Sequence, residues 1–206
     1  MDHPPDTTHL LYLHGFRSSP QSAKARLVGE RVRREHPGVS WWCPQLPPSP
    51  QAAMEMVQQV TVDWPRDRMA VVGSSLGGFY ARWVALQTGC RAVLLNPAPF
   101  PARDLAAHIG EQSTWQNPAE RFYFEPAYVK ELRVLEADIV RLSAQRAATP
   151  DSQLAVIATG DEVLDWREMK DFCAGGSVRL IEGGDHAIAD FGERHLEAVV
   201  NFLRLA

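Results

Sequence analysis

A run of four apolar residues at positions 69–72 is followed by a stretch rich in glycine and serine, and then by apolar residues at helical spacing. Four residues are too few for a helix and a glycine bounds them, so the run predicts a short buried strand. The later apolar positions fall on one face of a helix: Leu76, Phe79, Tyr80, Trp83 and Val84. The pattern therefore predicts a strand, a tight turn of small residues and a helix in immediate succession.

Short apolar runs and amphipathic stretches alternate along most of the chain. The runs that predict strands span residues 10–13, 39–43, 69–72, 91–95, 154–158 and 178–181. Between them apolar residues at helical spacing predict helices, and Ser49 followed by Pro50 is a helix start signal. Strands that alternate with helices, without an obvious hairpin, indicate βαβ units and a parallel sheet. The sequence thus predicts one α/β domain over residues 1–206, a three-layer sandwich around a mainly parallel sheet of about six strands.

Residues 97–150 interrupt this alternation. No run of strand length falls there, whereas Leu132, Leu135, Ile139 and Leu142 mark one helix. We therefore expect a short helical cap over the sheet, and ordinary packing of helices on the sheet face is the alternative. Three aromatic side chains of this segment are candidates for the wall of a substrate pocket: Trp115, Phe122 and Tyr123.

Bulk composition narrows the class of protein. Apolar residues make up 45% of the 206, which is within the globular range and argues against global disorder. The formal net charge of -4 and the pI near 6.0 argue against nucleic acid or an anionic membrane as a partner. The three cysteines form no CxxC pair, and residues 10–13 are too few for a signal core or a membrane span. We expect a cytoplasmic protein, and the sequence leaves its oligomeric state open.

Gly73-Ser74-Ser75-Leu76-Gly77 is a G-x-S-x-G pattern between the predicted strand and helix. Such a turn holds its central residue in strained backbone geometry, with the side chain standing above the sheet. The two glycines leave room for the close approach of the chain. The spacing predicts Ser75 as a nucleophile and Ser74 as a small filler, and the alternative is a tight turn with an inert serine.

A serine hydroxyl needs a general base, and the base needs an acid that orients it. His186 is the candidate base, because it follows a predicted strand in a loop that two glycines allow to bend back over Ser75. Asp161 is the candidate acid, because it lies directly after the strand predicted at residues 154–158. The order serine, acid, histidine is the one expected of an α/β-hydrolase.

The remaining acids and histidines are weaker candidates. Asp165 is the runner-up acid, and Glu162 and Asp185 are less well placed. His14 is expected to be a structural hydrogen-bonding residue. The other histidines fall in the N-terminal tail, on predicted helices or in the cap: His3, His9, His36, His108 and His195.

The loop after the first predicted strand supplies the last part of the constellation. Gly15 lets the backbone turn so that the next N–H faces the serine. We therefore expect the backbone amides of Phe16 and Leu76 to form an oxyanion hole. No HExxH motif or Cys/His spacing indicates a metal site, and the glycine-rich turn lacks the residues that follow a P-loop. The sequence accordingly predicts no metal and no cofactor.

Five segments together resemble the YqiA-like esterases, small bacterial members of the α/β-hydrolase superfamily. They occur in order as HGFRSSP (14–20), PQLPP (44–48), GSSLGG (73–78), TGDEVLD (159–165) and EGGDHA (182–187). The resemblance covers nearly the whole chain. It implies hydrolysis of small acyl esters through an acyl-enzyme, without a cofactor, by a triad that here is Ser75, Asp161 and His186. A thioesterase with the same machinery is the nearest alternative, and a non-catalytic binding protein on this scaffold is the rival from another class.

Overall fold

Six parallel strands form the centre of the computed structural model, which describes residues 6–206. The strands of the chain are β1 (His9–Leu13), β2 (Ser40–Trp42), β3 (Met69–Ser74), β4 (Arg91–Leu95), β5 (Gly110–Ser113), β6 (Arg121–Phe124), β7 (Gln153–Ala158) and β8 (Ser177–Ile181). The central sheet has the order β2-β1-β3-β4-β7-β8, and all its neighbouring strands are parallel. The predicted sheet of about six mainly parallel strands is therefore confirmed.

Helices cover both faces of this sheet. They are α1 (Ala23–Glu35), α2 (Pro50–Thr61), α3 (Leu76–Thr88), α4 (Pro101–Asp104), α5 (Pro126–Gln145), α6 (Trp166–Phe172) and α7 (Leu196–Leu203), with a 3-10 turn at Leu105–His108 and a π-helical turn at Phe191–His195. Side chains alternate along a strand, so Leu10 and Tyr12 share one core with α1 and α7, while Leu11 and Leu13 share the other with α2 and α3. Because the central strands are buried on both faces, their sequences are nearly continuous apolar runs.

Helix α2 begins as its start signal predicts. The Ser49 hydroxyl accepts a hydrogen bond from the Ala52 amide (3.1 Å), and Pro50 occupies the first helical position. Glu131 of α5 reaches the same turn, where its carboxylate accepts hydrogen bonds from the Ser49 hydroxyl (2.7 Å) and the Gln51 amide (3.0 Å). These bonds tie the longest helix of residues 97–150 to the body of the fold.

Residues 97–150 contain a β-hairpin, so the prediction that no strand falls in this segment is wrong. β5 and β6 pair antiparallel, with four residues each. The sequence conceals the hairpin because β5 carries no apolar residue and the alternation along β6 is short. In β6 the Phe122 and Phe124 side chains turn toward the protein and Tyr123 turns to solvent. The helix predicted from residues 132–142 is present as α5.

Membrane-spanning helices and metal-binding clusters are both absent from residues 6–206. No helix there combines the length and the apolar character that crossing a bilayer requires. No group of three or more His, Cys, Asp or Glu side chains is arranged to hold a metal ion. All three cysteines are free thiols, and burial raises the pKa of Cys90 to about 11 and that of Cys43 to about 12. These thiols therefore stay protonated at neutral pH.

Gly77→Ala is expected to destabilise the fold, because a β-carbon at this position would lie 2.0 Å from the carbonyl oxygen of Leu13 on β1. That oxygen moves only if the central sheet moves, so we expect the free energy of unfolding to fall by about 3 kcal/mol. Urea denaturation measures the change. Gly38→Ala is the matched control, since a β-carbon there meets nothing within 4 Å. Its change should stay within about 0.5 kcal/mol, and equal losses in the two variants would contradict the packing described for this turn.

Candidate active site

Ser75 lies in the turn between β3 and α3, with a φ of 57° and a ψ of -122°. A non-glycine residue adopts such a conformation rarely, so the backbone is strained at this point. Hydrogen bonds hold it on both sides. The Ser75 N–H donates to the Leu95 carbonyl (2.9 Å), and the Ser75 carbonyl accepts from the amides of Gly78 (2.8 Å) and Ala98 (3.0 Å). The strained residue is therefore fixed by β4, by α3 and by the loop after β4.

Ser75, His186 and Asp161 meet at the carboxyl edge of the sheet. The Nε2 of His186 lies 3.0 Å from the Ser75 Oγ, and its Nδ1 lies 2.7 Å from the Asp161 Oδ2. A carboxylate accepts hydrogen bonds, so the ring donates its Nδ1–H to Asp161. The Nε2 is then the acceptor for the Ser75 hydroxyl. The Asp161 side chain is fully buried, and its Oδ1 accepts hydrogen bonds from the amides of Val163 and Leu164 (2.8 Å each). The carboxylate is thus held in place by three donors.

The three other candidate acids, Glu162, Asp165 and Asp185, bind backbone amides. The Asp165 carboxylate caps α6, accepting from the Arg167 amide at 2.8 Å. Glu162 accepts from the backbone amide of His186 (3.0 Å), and Asp185 accepts from the Ala189 amide (2.9 Å). None of these three bonds involves the His186 ring, which Asp161 contacts.

The remaining histidines lie away from this contact. His9 packs on Trp64, His108 on Phe16, and His195 is buried beside Asp190. His36 is half-buried and bonds to the Ala206 carbonyl, and His3 lies outside the described residues.

Asn96 is a site residue that the sequence pattern marks only as the end of a strand. It is fully buried, has a φ of 41° and directly follows β4. Its Nδ2 donates to the carbonyls of Asp185 (3.2 Å) and His186 (3.1 Å), while its Oδ1 accepts from the Ala158 amide (2.8 Å). One side chain therefore joins the end of β7, which leads to the acid, to the loop that carries the histidine. The signal for Asn96 that the sequence offers is a polar residue directly at the end of a predicted strand.

The loop after β1 passes directly beside Ser75. A β-carbon at Gly15 would lie 3.1 Å from the Ser75 Cβ, so only a residue without one fits comfortably. The amides of Phe16 and Leu76 donate no hydrogen bond to any group within residues 6–206. They are therefore free to donate to an oxygen bound at the serine.

His14 locks this loop. Its Nε2 accepts a hydrogen bond from the Leu46 amide (3.0 Å), so its Nδ1 carries the proton and donates to the Gly15 carbonyl (3.0 Å). Burial lowers the pKa of the ring, which is therefore neutral at pH 7. His14 joins the loop after β1 to the proline-rich loop after β2 and has the structural role that the sequence predicts.

Two cavities flank the loop after β1. The first, here called the apolar cavity, has a volume of about 290 Å³ and is lined by Phe16, Leu46, Pro47, Met56 and Phe122, among others. The second, here called the serine cavity, also measures about 290 Å³ and contains Ser75 and His186 together with Lys24, Trp115 and Gln116. Of the three predicted pocket aromatics, Phe122 thus lines one cavity and Trp115 the other.

Tyr123 lines neither cavity, which corrects the expectation that it walls the pocket. It lies between Phe122 and Phe124 on β6, and successive side chains of a strand point to opposite faces. Its ring is 54% exposed, whereas Phe124 is buried.

The sheet topology, with a strained serine after β3, defines the α/β-hydrolase fold, and similar solved structures bear this out. Est1E from Butyrivibrio proteoclasticus matches with a TM-score of 0.67 at 17% identity, over 97% of this chain and 88% of that one. A structure described as one of "LipS and LipT, two metagenome-derived lipolytic enzymes" matches at 0.71 and 20% identity, over 97% and 94%. A monoacylglycerol lipase of Paleococcus ferrophilus matches at 0.65 and 14% identity, over 95% and 93%. At these identities the likeness establishes the fold.

The chain belongs to the family described as "Uncharacterised protein family (UPF0227)", whose model matches residues 9–204. The match covers nearly the same part of the chain as the five segments identified in the sequence. The resemblance to the YqiA-like family is therefore confirmed.

Asn96→Ala is expected to loosen the loop that carries His186. The substitution removes three hydrogen bonds and leaves the Ala158 amide buried without its acceptor, which should lower the free energy of unfolding by about 2 kcal/mol. Hydrogen exchange should also become faster at the amides of Ile188 and Ala189, which bond to Asp185. Asn201→Ala, on the exposed side of α7, is the control and should change neither quantity. Unaltered exchange at both amides in Asn96→Ala would show that Asn96 does not hold the loop.

Proposed function

We propose that this protein is a serine hydrolase of small carboxylic esters, with Ser75 as nucleophile, His186 as general base and acid, and Asp161 as the orienting acid. The observation that carries the proposal is the continuous path of two hydrogen bonds, 3.0 Å and 2.7 Å long, that joins a strained serine to a buried carboxylate through one imidazole. A tight turn with an inert serine needs neither of these bonds. The similar structures named as a lipolytic enzyme and as a monoacylglycerol lipase support the same chemistry.

In the first step the Ser75 Oγ attacks the ester carbonyl carbon while the Nε2 of His186 takes the hydroxyl proton. The ring becomes an imidazolium, which the Asp161 carboxylate stabilises through the Nδ1–H bond. The side chain of Asp161 is fully buried, so this bond acts in a medium of low dielectric constant. The negative charge on the carbonyl oxygen is stabilised by the amides of Phe16 and Leu76, and one such donor typically contributes about 3 kcal/mol.

In the second half of the reaction the Nε2–H of His186 is transferred to the leaving oxygen, the ester C–O bond breaks, and the acyl group remains on Ser75. Water then attacks the acyl carbon as Nε2 takes its proton. The bond to the Ser75 Oγ breaks, the proton returns to Oγ, and the acid is released. Water is the sole co-reactant in this sequence, so the proposal assigns no cofactor and no metal.

The apolar cavity supports the proposal that the acyl group of the substrate is small and apolar. It adjoins Leu76 and Phe16, whose amides would hold the oxyanion, and much of its wall is aromatic or aliphatic. The Phe16 ring packs edge-on against Phe122 (5.9 Å between centroids) and Phe124 (5.1 Å), which closes the cavity on the side of the hairpin. An acyl chain would replace water against these side chains.

The proposal treats the whole chain as one catalytic domain, with residues 97–150 as a partial cover that supplies Trp115 and Phe122. It also places the protein in the cytoplasm, because all three cysteines are free, as is usual in a reducing compartment. The substrate is a small molecule, and the proposal includes no nucleic acid and no membrane.

Ser75→Ala is expected to abolish covalent labelling by a fluorophosphonate probe and to lower kcat for p-nitrophenyl esters by about 10⁴-fold or more. The reason is that no other hydroxyl is bonded to the Nε2 of His186 within residues 6–206. Ser40→Ala, on the exposed side of β2, is the control and should keep both activities. A wild-type protein that neither reacts with the probe nor cleaves any ester would be a binding protein. Faster cleavage of a coenzyme A thioester than of the oxygen ester with the same acyl group would make it a thioesterase.

Asp161→Asn and Asp165→Asn form a matched pair that tests the acid. Asparagine at 161 can still accept from the Val163 and Leu164 amides, but it cannot stabilise the imidazolium, so kcat should fall by about 10⁴-fold. Asparagine at 165 caps a helix as well as aspartate does, so kcat should stay within about twofold of the wild type. Steady-state kinetics on one p-nitrophenyl ester compares the two. A larger loss for Asp165→Asn than for Asp161→Asn would reverse the assignment.

A further inference from the structure

The two cavities differ in the kind of group that each can hold. The apolar cavity has more aromatic and aliphatic than polar wall, and its charged lining residues are Arg17, Glu120 and Arg121. The serine cavity shares Phe16 and Ser18 with it but adds Ser22, Lys24 and Gln116, and no carboxylate belongs to its lining. An ester presents two different groups to a nucleophile. Ser75 lines the serine cavity, and the next residue, Leu76, lines the apolar cavity.

The proposed mechanism indicates which cavity holds which part of the ester. His186 must protonate the leaving oxygen, so the leaving alcohol lies on the side of the imidazole. His186 lines the serine cavity and is not part of the apolar one. The acyl group then extends past Leu76, which lines only the apolar cavity. The alcohol portion of the substrate therefore meets the wall of the serine cavity, which contains Lys24.

Lys24 is the cationic side chain of that wall. It lies in the first turn of α1, is half-buried, and donates a hydrogen bond from its Nζ to the carbonyl of Ala187, the residue after His186. That bond to a neutral carbonyl is the one hydrogen bond of the ammonium within residues 6–206, and no carboxylate there lies within ion-pair distance of it. Two of its three N–H donors are thus available to a ligand.

The carboxylates nearest to Lys24 already have partners. Asp161 binds the His186 ring and two backbone amides, and Asp185 binds the Ala189 amide. Burial lowers the pKa of Lys24 to about 8, and the charges of Asp185 and Asp161 act in the opposite direction. The side chain therefore remains largely protonated at pH 7 but is poorly solvated, which strengthens its attraction for an anion.

The other cations near the two cavities are engaged. The Arg17 guanidinium lies 4.0 Å from the centre of the Trp115 ring and donates to the Ser113 carbonyl (2.7 Å). Arg121 forms an ion pair with Glu111 across the hairpin. Lys24 is therefore the cation that a substrate can contact from the serine cavity without displacing an existing partner.

We propose that the serine cavity binds the leaving alcohol of the ester and that Lys24 selects alcohols that carry an anionic group, a carboxylate or a phosphate. This inference rests on the proposed function. A methionine has a similar apolar stem without the charge, and an arginine keeps the charge, so the two replacements separate charge from packing.

The test uses pairs of butyryl esters that differ in the charge of the alcohol. One pair is the ester of 4-hydroxybenzoate and that of its neutral methyl ester, and the other is butyryl glycerol with and without a phosphate on the glycerol. We expect the wild type to favour at least one anionic member by about 10- to 100-fold in kcat/KM, because a charge-assisted hydrogen bond is lost with the neutral one. The pair with the larger ratio identifies carboxylate or phosphate.

Lys24→Met should bring this ratio close to one, mainly through KM, and Lys24→Arg should restore most of it. Any disturbance of the His186 loop affects both esters of a pair and cancels in the ratio. Lys170→Met, an exposed position on α6, is the control and should keep the wild-type ratio. Wild-type ratios near one in both pairs, or an unchanged ratio in Lys24→Met, would overturn the inference while leaving the esterase proposal intact. Absence of turnover on all four esters, with no fluorophosphonate labelling, would overturn both.

Discussion

The close packing of backbone around Ser75 is the constraint on which the rest of the structure depends. A β-carbon at Gly73 would lie 1.9 Å from the Gly77 carbonyl oxygen, and one at Gly78 would lie 2.8 Å from Pro97. The turn therefore fits only where β1, β3, β4 and α3 converge without intervening side chains. A positive φ at a serine costs on the order of 1–3 kcal/mol, which the cores on both faces of the sheet must offset. In return, the hydroxyl stands at a position fixed by β4, by α3 and by the loop after β4.

The histidine is held by a different kind of force. β8 is the edge strand of the sheet and is only partly buried, so packing alone does not fix the loop that follows it. Hydrogen bonds fix this loop instead of packing. The Asn96 side chain donates to two of its carbonyls, and the Gly160 amide donates to the Gly183 carbonyl (2.8 Å). A β-carbon at Gly160 would lie 2.6 Å from the Gly184 oxygen, so the acid loop and the histidine loop touch directly. The placement of Asp161 relative to His186 is thus set by polar contacts between neighbouring loops.

This difference explains what the sequence could and could not predict. Strands buried on both faces produce apolar runs, so the sequence predicts β1, β3, β4 and β7. The candidate residues Ser75, Asp161 and His186 follow β3, β7 and β8 in that order. The sequence does not predict the hairpin of residues 110–124, because one face of each strand is exposed and too few positions alternate. For the same reason it does not predict that Tyr123 points outward. The contacts of Asn96 with the histidine loop could not be predicted for another reason. The two carbonyls that it binds there lie about 90 residues away along the chain, and no local pattern encodes such a contact.

The same hairpin is tied to the loop after β1, which passes beside Ser75. Arg17, with a φ of 58°, follows Phe16, and its carbonyl accepts a hydrogen bond from the Trp115 amide (2.8 Å). Its guanidinium in turn holds the end of β5, while the Phe16 ring packs on β6. Residues 97–150 therefore help to fix the conformation of the loop after β1. In the proposed mechanism, a change in the hairpin that reshapes the apolar cavity would also move the Phe16 amide, so acyl preference and stabilisation of the oxyanion would vary together.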